Sequence, residues 1–145
     1  YSHTGDLLNL LPQGSNLLKE NKKYKTFRMS IEQVIKSGNI GIGLARIIAR
    51  YKANSNFKDE SGYKQSQYIW KYALPFLPRI NKEYDIAISY LWPHYFIACK
   101  VKAKIKIAWI HTDYSTIDTD VDIDLDMWSR FNYIISISNF RRASI

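Results

Sequence analysis

The run Ile105-Lys106-Ile107-Ala108-Trp109-Ile110 constrains the fold more than any other stretch of this chain. It is apolar at every position but one and rich in β-branched isoleucine. Such a run suits a strand with both faces covered, as in parallel sheets. It stops in His111-Thr112-Asp113-Tyr114, four side chains that hydrogen-bond or ionise. Ligands of open α/β sheets bind outside the carboxyl ends of the strands. A strand that delivers a His and an Asp there is placed for chemistry. The competing reading is an ordinary polar loop after a strand.

The neighbouring segments supply the topology. Tyr84–Tyr90 reads as a second buried strand. Pro93 suits the first turn of a short helix that continues through Phe96, Ile97 and Val101. A loop and helix span Ser115 to Arg130, Tyr133–Ser138 reads as a third strand, and Phe140 to Ile145 begins another helix. Strands alternating with helices predict an α/β fold, a Rossmann-like doubly wound parallel sheet with helices on both faces. The three strand ends carry Tyr90-Leu91-Trp92-Pro93-His94, His111-Thr112-Asp113-Tyr114 and Ser138-Asn139, and these should share one rim. Aromatic planes beside His94 suit stacking on a sugar or a base. The alternative is a loop histidine beside a packed Trp92.

The first half is predicted to be mostly helical. Gly5 to Pro12 holds one apolar helical turn ended by Pro12, and Asn16-Leu17-Leu18 reads as a short strand. Ser30 and Gln33 form a capping-box pattern, and the helix begun at Ile31 should end near Gly38. A helix from Ile40 to about Ala53 places Ile40, Leu44, Ile47, Ile48 and Tyr51 on one face, with Arg46, Arg50 and Lys52 mostly elsewhere. That face packs on the core, or the helix is a basic amphipathic one that touches a membrane. Gly41-Ile42-Gly43 lacks the third glycine and the preceding strand of a dinucleotide fingerprint. A further helix runs from about Tyr63 to Leu74, apolar at Tyr68, Ile69, Tyr72 and Ala73, and Pro75 and Pro78 end it.

With 145 residues, 46% hydrophobic and 23% charged, the chain reads as a single globular domain, residues 1–145. The net charge of +8 favours an anionic partner, or reflects a Lys-rich composition. No nucleic-acid motif matches, so nucleic acid is not an expected partner. The single cysteine, Cys99, excludes an internal disulfide and fits a reducing compartment. The aspartate run from Asp118 to Asp126 fails the EF-hand spacing, with Ile123 where Gly is needed and Ser129 where Glu is needed. Aspartates also favour helix N-termini, so no metal is expected. Lys100, Lys102, Lys104 and Lys106 alternate as on the start of a strand and read as solvated.

Tyr84-Asp85-Ile86-Ala87-Ile88-Ser89-Tyr90, Lys100 to Lys104, Ala108-Trp109-Ile110-His111-Thr112-Asp113-Tyr114-Ser115 and Phe131 to Ser138 together resemble the amino-terminal domain of bacterial family 4 glycosyltransferases. Gly5 to Pro12 is also similar to a segment of that domain. The resemblance implies the amino-terminal half of a two-domain GT-B enzyme, this chain being the acceptor-side fragment. It implies a retaining hexosyltransferase that moves a sugar from a nucleotide-sugar donor to a glycan or lipid-linked acceptor in capsular or other surface polysaccharide synthesis. No cofactor or metal is implied. The setting implied is cytoplasmic, with peripheral contact at the inner face of an anionic membrane. His111 matches the family's cleft histidine, which touches the donor sugar, and Asp113 is an acceptor contact or an orienter of His111. Trp92, His94, Tyr114 and Ser138 are expected to bind substrate. The alternative function is a non-catalytic α/β binding module for an anionic polymer or lipid surface.

Overall fold

The computed structural model describes residues 10–53, 62–90 and 92–136. Three strands, β1 (Glu83–Ser89), β2 (Lys102–Ile110) and β3 (Tyr133–Ser136), form a parallel sheet in the order β1-β2-β3. The register sets Ile86 beside Ile105, Ser89 beside Ala108, and Ile110 beside Ser136. Asn132 brings β3 into place. Its side-chain oxygen accepts from the Lys106 N–H at 2.8 Å, and its own N–H donates to the Lys106 carbonyl at 2.9 Å.

Helix α5 (Tyr95–Lys100) links β1 to β2, and α6 (Val121–Trp128) links β2 to β3. Both connections advance the same way across the sheet, so right-handed crossovers put both helices on one face. Ala87, Ser89 and Ala108 point into that layer and are buried. On the opposite face Ile86, Ile88 and Ile105 remain 54%, 53% and 37% exposed. The sequence pattern predicts helices on both faces, and among the described residues they cover one. A doubly wound sheet gains its second helical layer where the strand order reverses. The described strand order has no reversal.

The first half packs as a helical layer over α5 and α6. It comprises α1 (Lys22–Lys25), α2 (Ile31–Lys36), α3 (Ile40–Ala53) and α4 (Tyr63–Ala73). Ser30 and Gln33 form the capping box, and Gly38 ends α2 with a φ of +79°, a conformation glycine adopts without penalty. Asn16–Leu18 forms no strand. Trp70 of α4, 2% exposed, is the centre of the core. Its ring lies 4.7 Å from that of Phe27 and 6.1 Å from that of Tyr95.

Helix α3 is turned the other way from its apolar pattern. Ile42, Gly43, Ala45 and Ala49 are buried, while Ile40, Leu44, Ile47, Ile48 and Tyr51 face out. Small residues let backbones approach closely, and here they do. A Cβ built on Gly41 would stand 2.5 Å from the Phe76 ring, and one on Gly43 2.6 Å from Ile35 Cγ1. Arg46 fixes the same orientation by donating to the carbonyls of Thr26 at 3.1 Å and Met29 at 2.5 Å. In α4 the buried face is Gln67, Trp70 and Ala73, with Tyr68 and Tyr72 half-buried.

The lysine row also divides. Lys102 and Lys104 are exposed and pair with Glu83 at 2.8 Å and Asp85 at 2.7 Å. Lys100 instead ends α5, is buried, and donates to the Leu77 carbonyl at 2.8 Å. Lys106 donates to the Ala98 carbonyl at 2.7 Å. Neither is solvated as the alternation predicts, because both ammonium groups are drawn in by backbone carbonyls next to the end of a helix.

The aspartate run starts α6. Asp120 is its N-cap, accepting from the Ile123 N–H at 3.2 Å and from the Tyr68 hydroxyl at 2.6 Å. That shared proton holds the Asp120 carboxyl below its ordinary range and pushes the Tyr68 hydroxyl up to about 12. Among the described residues no group of three or more His, Cys, Asp or Glu side chains could hold a metal ion.

Candidate functional site at the carboxyl ends of the strands

The carboxyl ends of β1 and β2 lie side by side, and each extends one alternation step beyond its isoleucines. Tyr90 follows Ile88, and Trp109 follows Ile107, so both continue the open face of the sheet. His111 follows Trp109 by the same step. The result is a cluster of three rings. Tyr90 lies 4.4 Å from His111 at 52°, Trp109 stacks on His111 at 6.2 Å and 9°, and Tyr90 lies 5.6 Å from Trp109. His111 is half-buried, and its Nε2 and the Trp109 Nε1 are buried with no hydrogen-bond partner among the described residues.

Beside this cluster is a cavity of about 500 Å³ lined by Tyr90, Trp92, Pro93, Ser89, Phe27 and Trp70, with others. Tyr90 thus borders both the cavity and the His111 ring. Trp92 is half-buried against Tyr63 at 4.7 Å, and its Nε1 has no partner among the described residues.

His94 belongs to the core and not to the rim. It is 1% exposed. Its Nδ1 shares a hydrogen bond of 2.8 Å with the Ser89 hydroxyl, and its ring packs on Trp128 at 4.9 Å and Phe131 at 6.1 Å. Burial, opposed by the Ser89 contact, lowers its pKa to about 4, so the ring is neutral at pH 7. A core partner, not a ligand, explains this side chain. Tyr114 is also turned inward. Its ring packs edge-on to Trp128 at 6.0 Å, and burial, aided by the Asp124 charge, raises its hydroxyl above the usual tyrosine range. Asp113 is exposed, and its carbonyl closes the next turn by accepting from the Thr116 N–H and hydroxyl. Ser138 lies outside the described residues.

The structure therefore brings His111 together with Tyr90, with Trp92 lining the adjacent cavity, and it withdraws His94 into the core and sets the half-buried Tyr114 against Trp128. Trp109 is the residue that strand-by-strand reading of the site overlooks, and Tyr90, placed on the rim by that reading, is not among its expected ligand contacts. Their signal is the two-residue alternation that carries the apolar face past the strand ends. A group of aromatic rings with an imidazole among them suits a ligand with one apolar face and several hydroxyls, such as a sugar ring.

Comparison with known proteins gives no match: no family model, no curated protein and no solved structure matches this chain.

Proposed function

We propose that this chain is the acceptor-side domain of a retaining GT-B glycosyltransferase that uses a nucleotide-sugar donor in surface polysaccharide synthesis. The observation that carries this reading is the Tyr90–Trp109–His111 cluster beside a cavity at the carboxyl ends of parallel strands. That is where α/β folds bind ligands. The resemblance to family 4 enzymes of the Trp-Ile-His-Thr-Asp-Tyr block, which supplies Trp109 and His111 of that cluster, also supports it. In this reading the sheet belongs to a larger doubly wound one, and a second Rossmann-like domain closes the cleft and holds the nucleotide. No helix among the described residues is long and apolar enough to cross a membrane. The enzyme would work in the cytoplasm, at the inner face of the membrane, on a glycan or lipid-linked acceptor.

In this reading the His111 imidazole donates a hydrogen bond to a donor-sugar hydroxyl, a contact that strengthens as oxocarbenium character develops. The acceptor attacks the front face of a tight ion pair, and the leaving diphosphate takes its proton. The two-carboxylate scheme of retaining hydrolases is not needed. No metal takes part.

The test is a nucleotide-sugar hydrolysis and transfer screen on the complete enzyme, with His111→Ala alongside. Losing one preorganised donor lowers turnover by roughly a hundredfold or more, with little change in KM or melting temperature. A stable His111→Ala protein with near-normal transfer removes His111 from the site. A complete enzyme that hydrolyses no nucleotide-sugar in the screen overturns the reading itself.

A further inference from the structure

We propose that the cavity at the amino ends of β1 and β2 is a binding site for a soluble anion that carries a diphosphate group. The cavity measures about 740 Å³, and six cationic side chains line it: Arg79, Lys82, Lys100, Lys102, Lys106 and Arg130. Two carboxylates offset them. Glu83 pairs with Lys102 at 2.8 Å, and Asp126 pairs with Arg130 at 3.2 Å. Among the described residues no carboxylate pairs with the other four. Six cations against two carboxylates leave a net +4.

Two of these cations are drawn inward with no opposite charge beside them. Lys100 is 8% exposed, and its Nζ donates to the Leu77 carbonyl at 2.8 Å. Lys106 is half-buried, and its Nζ donates to the Ala98 carbonyl at 2.7 Å. An ammonium has three N–H donors, so each has others to offer. Burying a cation without an opposite charge is costly, and an apolar side chain would fill the same space. Burial and then the Arg79 charge lower the pKa of Lys100. Burial and the Arg130 charge, opposed by Cys99, lower that of Lys106. An anion in the cavity relieves both repulsions.

The competing explanation is that these cations only neutralise helix ends. α5 ends at Lys100, and α6 ends two residues before Arg130. The carboxyl end of a helix is worth about half a negative charge, so the two ends still leave roughly +3 unmatched. A single phosphate carries about −1.5 to −2 and leaves the cavity positive. A diphosphate group comes closer to balance. The length of β2 separates this cavity from the Tyr90–His111 rim, so the proposal does not rest on the glycosyl-transfer reading.

The test is calorimetric titration of the protein with sodium pyrophosphate at low salt, with sulfate and poly-glutamate alongside. Pyrophosphate is expected to bind more tightly than sulfate, and its binding to weaken as salt is raised. Arg79→Gln, at an exposed position, should weaken it about fivefold, the scale of one exposed charge. Lys106→Met keeps the apolar stem and should weaken it about tenfold. Arg50→Gln and His111→Ala, away from the cavity, should leave it unchanged. Cys99 is the single cysteine of the chain and lines the same cavity. Pyrophosphate should slow its alkylation in proportion to the fraction of protein bound, a readout that stands even where a variant fails to fold. No binding at low salt, binding no tighter than that of sulfate, or equal losses from Arg79→Gln and Arg50→Gln overturns the proposal. So does unchanged alkylation of Cys99, or binding of poly-glutamate without binding of pyrophosphate.

Discussion

The rings of Tyr90 and His111 stand 4.4 Å apart, centroid to centroid, although one follows β1 and the other follows β2. Parallel pairing of Ser89 with Ala108 puts residues 21 positions apart in sequence on one rim. Tyr90 is 57% exposed, so its replacement should cost little stability on its own. A double-mutant cycle between Tyr90→Leu and His111→Leu, read by urea unfolding, should give a coupling of about 1 kcal/mol. Additive effects would show that the contact orders neither ring.

His94 makes stability pH-dependent. Its folded pKa of about 4 lies below the ordinary 6.5. As pH falls below 6.5 the unfolded chain takes up a proton that the folded state refuses until about pH 4. Stability is therefore full above 6.5 and is lost across that window, by roughly 3 kcal/mol in total. Urea titrations at pH 7 and near pH 4 measure the loss. His94→Phe should flatten this part of the profile, and an unchanged slope would refute the assignment.

The two glycines of α3 should answer differently to alanine. Alanine favours a helix over glycine by about 1 kcal/mol. At Gly41 the new methyl meets the far edge of the Phe76 ring, and Phe76 is 45% exposed, so the ring can swing away. Gly41→Ala should be near neutral. At Gly43 the clash is with Ile35 Cγ1, which is bonded to the branched Cβ and only two bonds from the α2 backbone. Gly43→Ala should destabilise by about 1–2 kcal/mol. Melting curves of both variants check the order, and a reversed order would refute the packing argument.

Gln67 is fully buried and clamps the start of α6. Its Oε1 accepts from the Asp120 N–H at 2.7 Å, and its Nε2 donates to the Asp120 carbonyl at 3.2 Å. Gln67→Leu keeps the volume but leaves both backbone groups without that partner. The Asp120 carbonyl still accepts from the Asp124 N–H at 3.1 Å, so the one orphaned group is the Asp120 N–H, and the expected loss is about 2–3 kcal/mol. Tyr68→Phe removes only the side-chain contact to Asp120 and should cost about 1 kcal/mol. Equal losses from the two variants would mean that the backbone clamp contributes nothing extra.

Much of the architecture was legible because its causes are local. β-Branched runs mark all three strands, and the Ser30–Gln33 box and Gly38 mark both ends of α2. Alternation of strands and helices gives parallel pairing, and the aspartate run reads as a solvated helix entry; the structure starts α6 there with Asp120 as its cap and buries Asp124.

Other features depend on which surfaces meet, and periodicity cannot say that. The isoleucine stripe of α3 has the spacing of a core face, yet glycine and alanine on the other side allow the closer approach, and close approach won. Alternation placed Lys100 on a strand, but α5 continues through it, and the Leu77 carbonyl draws its ammonium inward. His94 and His111 look equivalent as polar residues after strands. The Ser89 hydroxyl, Trp128 and Phe131 make the first a core residue, while the open sheet face leaves the second at the rim beside Tyr90. Local sequence determined most of the helices and all three strands of the sheet, though not the coil at Asn16–Leu18 or the helical end at Lys100. Tertiary structure alone decided which side of each element meets the core, because burial is settled by the fit between distant surfaces.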